Sequence, residues 1–142
     1  MPSFVLSDFL PYRLSVAASR VSKAFERRYM EEAGISVSEW RVLAHLTQQS
    51  EVSVREIEAM VDMEKSKVSR AATRLHQQGL IAKVSNSDDR RLVSLSLTPA
   101  GHALMERLIP LAQAYHAEML ALLGRDGDAF TAGLSKLEKG EL

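Results

Sequence analysis

The 142-residue sequence contains no cysteine, and its net charge at pH 7 is zero. Without cysteine the chain can form no disulfide, no thiolate metal site and no thiol redox switch. No apolar run approaches the ~18–20 residues that span a bilayer, and residues 1–8 lack the basic start and apolar core of a signal peptide. Hydrophobic residues make up 46% and charged residues 25%, which is typical of one folded domain. We therefore expect a cytoplasmic protein with no membrane partner.

Motifs of enzyme active sites are also missing. The sequence has no glycine-rich phosphate loop and no Gly-x-Ser-x-Gly nucleophile elbow. The histidines lack a third close ligand of the kind a metal site needs; they are His45, His76, His102 and His116. We expect no enzymatic activity, no metal and no cofactor.

The zero net charge hides an uneven distribution along the chain. Residues 65–91 hold seven Lys/Arg against two Asp/Glu, a net charge of +5. Residues 1–64 have a net charge of −3 (7 against 10), and residues 92–142 have a net charge of −2 (4 against 6). No acidic residue lies between Lys65 and Lys83. A local basic patch on a neutral protein is typical of a DNA-binding surface.

The apolar pattern predicts a mainly α protein with one small β-hairpin. Ser53, with Glu56 three residues later, forms a capping box that starts a short helix. On both sides of the polar segment 86–89, apolar residues occur at every second position. This alternation predicts two strands joined as a hairpin. Helices are expected from Pro11 to Gly34, from Ser36 or Ser38 to Gln48, from Ser53 to Val61, over 65–78, from Thr98 to before Gly124, and after Gly127. A short helix, a tight turn, a second helix and a hairpin together describe a winged helix-turn-helix.

The helix over residues 65–78 has two contrasting faces. At 100° per residue, its apolar residues Val68, Ala71, Ala72 and Leu75 fall on one side. The opposite side is free of acid and rich in hydrogen-bond donors. Arginine and glutamine can read base edges, while serine, threonine and lysine suit phosphates. The residues predicted to contact DNA are Ser66, Lys67, Ser69, Arg70, Thr73, Arg74 and Gln77.

The hairpin tip carries the segment Asp88-Asp89-Arg90-Arg91. An arginine that enters a narrow minor groove must be held in place, and a neighbouring carboxylate can do this. The spacing favours Asp89 as the support for Arg91, while Arg90 is the alternative candidate to enter the groove. We expect Arg90 and Arg91 to contact DNA, with Asp89 supporting the wing.

Residues 53–101 resemble the DNA-binding core of the MarR (multiple antibiotic resistance regulator) family of bacterial transcription factors. The likeness rests on an ordered set of segments: 66–70, 74–75, 78–81, 89–91 and 97–101, with weaker support from 9–14 and 40–43. It implies a single MarR-type domain over 1–142. Within it, a winged-helix lobe would span 36–98, and a helical dimerisation region would comprise 1–34 and 99–142.

The same resemblance implies a homodimeric repressor that a small molecule, often an aromatic acid, releases from DNA. Apolar stripes on several sides of the terminal helices independently favour a homodimer. Two-fold symmetry then predicts an inverted-repeat operator with half-sites about 10 base pairs apart. The alternative is a winged-helix protein–protein adaptor that does not bind DNA, but such an adaptor needs neither a basic helix face nor paired wing arginines.

With thiol and metal switches disfavoured, either a small organic effector or no effector remains. A cleft between the first, second and fifth helices would be lined by Tyr12, Arg13, Trp40 and His45. An aromatic wall beside an arginine suits an aromatic carboxylate. The alternative is that Trp40 simply packs the lobe and Arg13 is solvated.

Overall fold

The computed structural model describes residues 3–61, 63–85 and 93–140. Within these ranges the chain forms six α-helices and three short strands, which confirms the mainly α winged-helix prediction. The elements are α1 (Leu10–Ala33), α2 (Val37–Gln48), β1 (Val52–Ser53), α3 (Val54–Met60), α4 (Lys65–Gln77), β2 (Ile81–Ser85), β3 (Val93–Leu97), α5 (Pro99–Leu123) and α6 (Gly127–Lys139).

Local capping chemistry sets most helix ends. Ser36, Ser53 and Thr98 each accept a hydrogen bond from the backbone N–H three residues later, which satisfies an otherwise unpaired donor. Gly34 follows α1 with a φ of 67°, a left-handed conformation that glycine adopts without strain. The predicted starts at Ser53 and Thr98 are confirmed, and Ser36 rather than Ser38 caps α2.

The three strands form one antiparallel sheet in the order β1-β3-β2. Val52 of β1 and Lys83 of β2 both pair with Leu95 of β3. The hairpin was predicted, but β1 was not, because a two-residue strand has no apolar period of its own. The wing tip, with Asp89, Arg90 and Arg91, lies outside the described residues, so its predicted role stays a prediction.

One hydrophobic core joins the sheet to the helices around it. The predicted inner face of α4 is confirmed: Val68, Ala71, Ala72 and Leu75 are all buried. The core continues into α1 through Tyr29 and into α5 through Met105 and Leu108. Because α4 buries one side in this core, its opposite side must face solvent.

Polar contacts hold α1 against α5. The Tyr115 hydroxyl donates to the Val21 carbonyl oxygen at 2.9 Å, and Arg107 pairs with Glu32 at 2.8 Å. Arg28 pairs with Glu118 and lies over the Tyr115 ring at 4.8 Å. In contrast, α6 makes its main contacts with the turn before it. In the part of the chain that the structure describes, no helix is long and apolar enough to cross a membrane.

Candidate nucleic-acid interface

The solvent face of α4 brings together all seven residues that the sequence predicted to contact DNA on this helix. Each of them is exposed: Ser66, Lys67, Ser69, Arg70, Thr73, Arg74 and Gln77. No acidic side chain lies within α4. This face therefore presents three cations and several neutral donors, a composition that suits phosphates and base edges.

Two of these side chains fold back onto α4 itself. Arg70 Nε donates to the Ser66 carbonyl oxygen at 3.2 Å, and the Thr73 hydroxyl donates to the Ser69 carbonyl oxygen at 3.0 Å. Both contacts are exposed and lie within one helical turn. Among the described residues the terminal N–H groups of the Arg70 guanidinium have no hydrogen-bond partner, so they can bond a ligand.

A groove of about 500 Å³ separates the start of α2 from the exposed face of α4. Ser36, Ser38 and Glu39 form its α2 side, and Arg70 and Arg74 lie on its α4 side. The groove is open and mixed in polarity, so it adds the N-terminal turn of α2 to the surface that α4 presents.

Glu39 also lies at this surface, although the sequence pattern did not predict it there. Its side chain is 4% exposed, and its Oε1 accepts from Arg74 Nη1 at 3.2 Å. The spacing Ser36-x-x-Glu39 is that of a capping box, the same signal that located Ser53 and Glu56. That signal could have singled out Glu39, but not its partner on α4.

The predicted effector residues fall into two separate places. Trp40 and His45 line a second groove, of about 330 Å³, between α2 and α5, together with Arg41, Met105 and Ile109. Trp40 contacts the Phe25 ring at a centroid distance of 5.2 Å.

Tyr12 and Arg13 are exposed near the start of α1. Phe25 lies 13 residues after Tyr12, or about 20 Å along a helix. Within one chain, Tyr12 and Arg13 therefore lie apart from the groove that Trp40 and His45 line, and the arginine in that groove is Arg41. The role of Tyr12 and Arg13 in effector binding stays a prediction.

Trp40 also takes part in an aromatic cluster between α1, α2 and α5. Its ring stacks on Tyr29 at 5.7 Å, and Phe25 stacks on Tyr115 at 5.3 Å. Burial raises the pKa of the Tyr29 hydroxyl above its ordinary value, because the charged phenolate would lose its hydration inside this cluster. Trp40 accordingly packs the core with one side and lines the groove with another, so the two alternatives for this residue are compatible.

No group of three or more His, Cys, Asp or Glu side chains is placed to hold a metal ion in residues 3–61, 63–85 and 93–140.

The fold is a winged helix-turn-helix whose second helix, α4, is basic and exposed, and this defines the general class of the protein. Comparison with known proteins gives the family. Residues 33–92 match the MarR family. A MarR family transcriptional regulator from Silicibacter pomeroyi is 30% identical, with a TM-score of 0.75 over 94% of this chain and 90% of that chain. The chain therefore belongs to the MarR family.

Two further relatives are informative. MdtR, an HTH-type transcriptional repressor of Bacillus subtilis (strain 168), is 35% identical over 94 residues, which cover 66% of this chain and 61% of MdtR. The match thus spans less than two thirds of that repressor. BpsR of Bordetella bronchiseptica, whose DNA binding is regulated by 6-hydroxynicotinic acid, has the same fold: its TM-score is 0.86 at 23% identity, over 99% of this chain and 100% of BpsR. The named relatives are regulators rather than enzymes.

Proposed function

We propose that this protein is a sequence-specific regulator of transcription that binds double-stranded DNA as a homodimer and acts as a repressor. The observation that carries the proposal is the solvent face of α4, where seven donor side chains and no acid are exposed together. Family membership and the repressor MdtR support the same reading. The protein is not an enzyme and works in the cytoplasm, where it has access to DNA.

In this proposal α4 enters the major groove, and Arg70 and Arg74 reach base edges while Ser66 and Lys67 contact phosphates. Arg90 or Arg91 enters the minor groove, with Asp89 as its support. The lobe over 36–98 carries the DNA contacts, and 1–34 with 99–142 joins the two subunits. The operator is an inverted repeat with half-sites about 10 base pairs apart.

Replacing Arg70 with alanine should weaken operator binding by about 1–3 kcal/mol per half-site and relax the base preference there. The reason is that Arg70 lies near the centre of the exposed face, and its terminal N–H groups have no partner among the described residues. The measurement is fluorescence anisotropy with an operator selected from a random duplex library. Arg125→Ala, which removes an exposed arginine in the turn before α6, is the matched control.

Wild-type affinity should also fall steeply with salt, because each phosphate contact releases counterions. Equal operator affinity of Arg70→Ala and wild type, with both proteins dimeric, would contradict the orientation of α4. A folded wild-type protein that binds no duplex DNA at low salt would contradict the proposed function. The remaining interpretation would then be a protein–protein adaptor.

For the effector, we propose a small aromatic acid in the groove between α2 and α5. The groove volume of about 330 Å³ lies within the range of small-molecule sites. Trp40 supplies an aromatic wall and Arg41 a cation for the carboxylate, with His45 beside them. The regulation of BpsR by 6-hydroxynicotinic acid supports this ligand class.

A thermal-shift screen with 6-hydroxynicotinic acid and benzoates should identify a ligand that raises the melting temperature and releases operator DNA. At a concentration a hundred times its Kd, a ligand stabilises the fold by about 2.7 kcal/mol. Arg41→Ala should abolish the shift, whereas Arg13→Ala should keep it because Arg13 lies outside the groove. If no aromatic acid raises the melting temperature of a protein that binds DNA normally, the proposed effector class is wrong.

A further inference from the structure

A buried carboxylate lies directly beside the DNA-facing side of α4. The Glu39 side chain is 4% exposed, whereas its partner Arg74 is 66% exposed. Oε1 of Glu39 accepts from Arg74 Nη1 at 3.2 Å and from the Ser36 hydroxyl at 3.1 Å. Its other oxygen, Oε2, is buried and has no hydrogen-bond partner among the described residues. Such a carboxylate is costly to bury, so a purely structural position would favour a neutral residue.

The contact fixes Arg74 without using up its donors. One of its five N–H groups meets Glu39, and no other hydrogen bond of the guanidinium is found among the described residues, so the exposed remainder can bond a ligand. Ser36 holds the same carboxylate oxygen, since its hydroxyl both donates to Oε1 and accepts from the Glu39 backbone N–H at 3.2 Å. The start of α2 thus fixes a side chain on α4, the helix against which α2 packs.

The pairing also changes how Arg74 responds to DNA. A free arginine on this face is attracted to any phosphate, whatever the sequence. Beside the Glu39 carboxylate its net charge is largely cancelled, so that general attraction falls. A guanidinium held in one plane can still form two directed bonds to guanine O6 and N7. Its side chain is already ordered, so less conformational entropy is lost on binding.

We infer that Glu39 is a positioning residue for DNA recognition: it holds Arg74 as a base reader and prevents it from acting as a non-specific phosphate contact. This inference rests on the proposed function. It assigns to the first turn of α2 a part in sequence discrimination, although Glu39 itself is too buried to touch DNA.

The test replaces Glu39 with glutamine, which keeps the size and one acceptor oxygen but removes the charge. Anisotropy measurements with the selected operator and with random duplex give a specificity ratio, the quotient of the two affinities. We expect this ratio to fall about tenfold. Random-duplex binding should become tighter, and its salt dependence should steepen by about one released counterion per subunit. Glu51→Gln, the same change at an exposed position, should leave the ratio unaltered.

The same replacement in an Arg74→Ala background separates positioning from folding. If Glu39 acts through Arg74, Glu39→Gln should have no further effect on the ratio in that background. Arg74→Lys, which keeps the charge but loses the planar fork, should lower the ratio in an otherwise wild-type chain. Melting curves of every variant identify any loss of fold.

Two results would overturn this inference but not the proposed function. One is that Glu39→Gln changes the specificity ratio equally in the wild-type and Arg74→Ala backgrounds. The other is that the ratio is unchanged in the folded Glu39→Gln and Arg74→Lys variants. In either case the wild type would still discriminate its operator, and the proposed function would stand. A wild-type protein that binds no duplex would overturn both.

Discussion

Replacing Gly101 with alanine is expected to destabilise the protein by about 2–3 kcal/mol, at the upper end of the cost of overpacking. Gly101 is buried in the first turn of α5. A Cβ atom there would overlap the Leu80 carbonyl oxygen and lie 3.2 Å from Leu97 Cδ2. Because Leu80 presents its backbone at this point, no side-chain rotation relieves the overlap, and α5 must move away.

The affected junction joins α4 to the long helix α5. The Thr98 hydroxyl donates to the Gly79 carbonyl oxygen at 2.6 Å, and the Thr98 backbone N–H donates to the Leu80 carbonyl oxygen at 3.1 Å. Gly79 and Leu80 follow the C-cap of α4, Gln78. A shift of α5 would therefore change the orientation of α4, and Gly101→Ala should also weaken operator binding.

Urea denaturation followed by circular dichroism measures the first effect. Gly133→Ala is the matched control, because it is the same change within helix α6, where a Cβ atom meets nothing within 4 Å. That variant should be more stable by about 0.5–1 kcal/mol, the helix propensity difference between alanine and glycine. Equal stabilities of the two variants would show that Gly101 does not act by close approach.

Replacing Leu122 or Phe130 with aspartate should dissociate the proposed homodimer. All but two of the large exposed apolar side chains in the described residues lie in the terminal segments 3–34 and 99–140; the exceptions are Met60 and Val84. Leu122, at the end of α5, is 87% exposed in the single chain, and Phe130 of α6 is also exposed. Because the exposed apolar side chains are concentrated in these segments, we place the proposed subunit interface there.

In a two-fold dimer each substitution places two unpaired carboxylates in the interface, so dimerisation should weaken by at least about a hundredfold. Analytical ultracentrifugation at micromolar concentration measures this. Operator affinity should fall in parallel, because a monomer contacts one half-site. Met60→Asp introduces the same charge on an exposed apolar residue of α3 and should leave the dimer intact. A wild-type monomer under these conditions would contradict the prediction.

The sequence by itself determined the parts that depend on residues close together in the chain. Capping residues such as Ser53 and Thr98 satisfy donors only three positions away, so their pattern locates helix starts. The positions of the α4 side chains around the helix axis follow from the 3.6-residue period, and the single apolar stripe determines which of them face outward. For this reason the exposed donor face and the winged-helix class could both be predicted.

Only the tertiary structure decided which distant residues meet. Glu39 and Arg74 are 35 positions apart, and Gly101 meets Leu80 across the hairpin. The strand β1 exists because Val52 pairs with Leu95, not because of its own sequence. Arg41 rather than Arg13 lies beside Trp40, because the length of α1 carries its first turn away from the aromatic cluster. Such contacts depend on how whole helices pack, and periodicity within one segment carries no information about a partner in another.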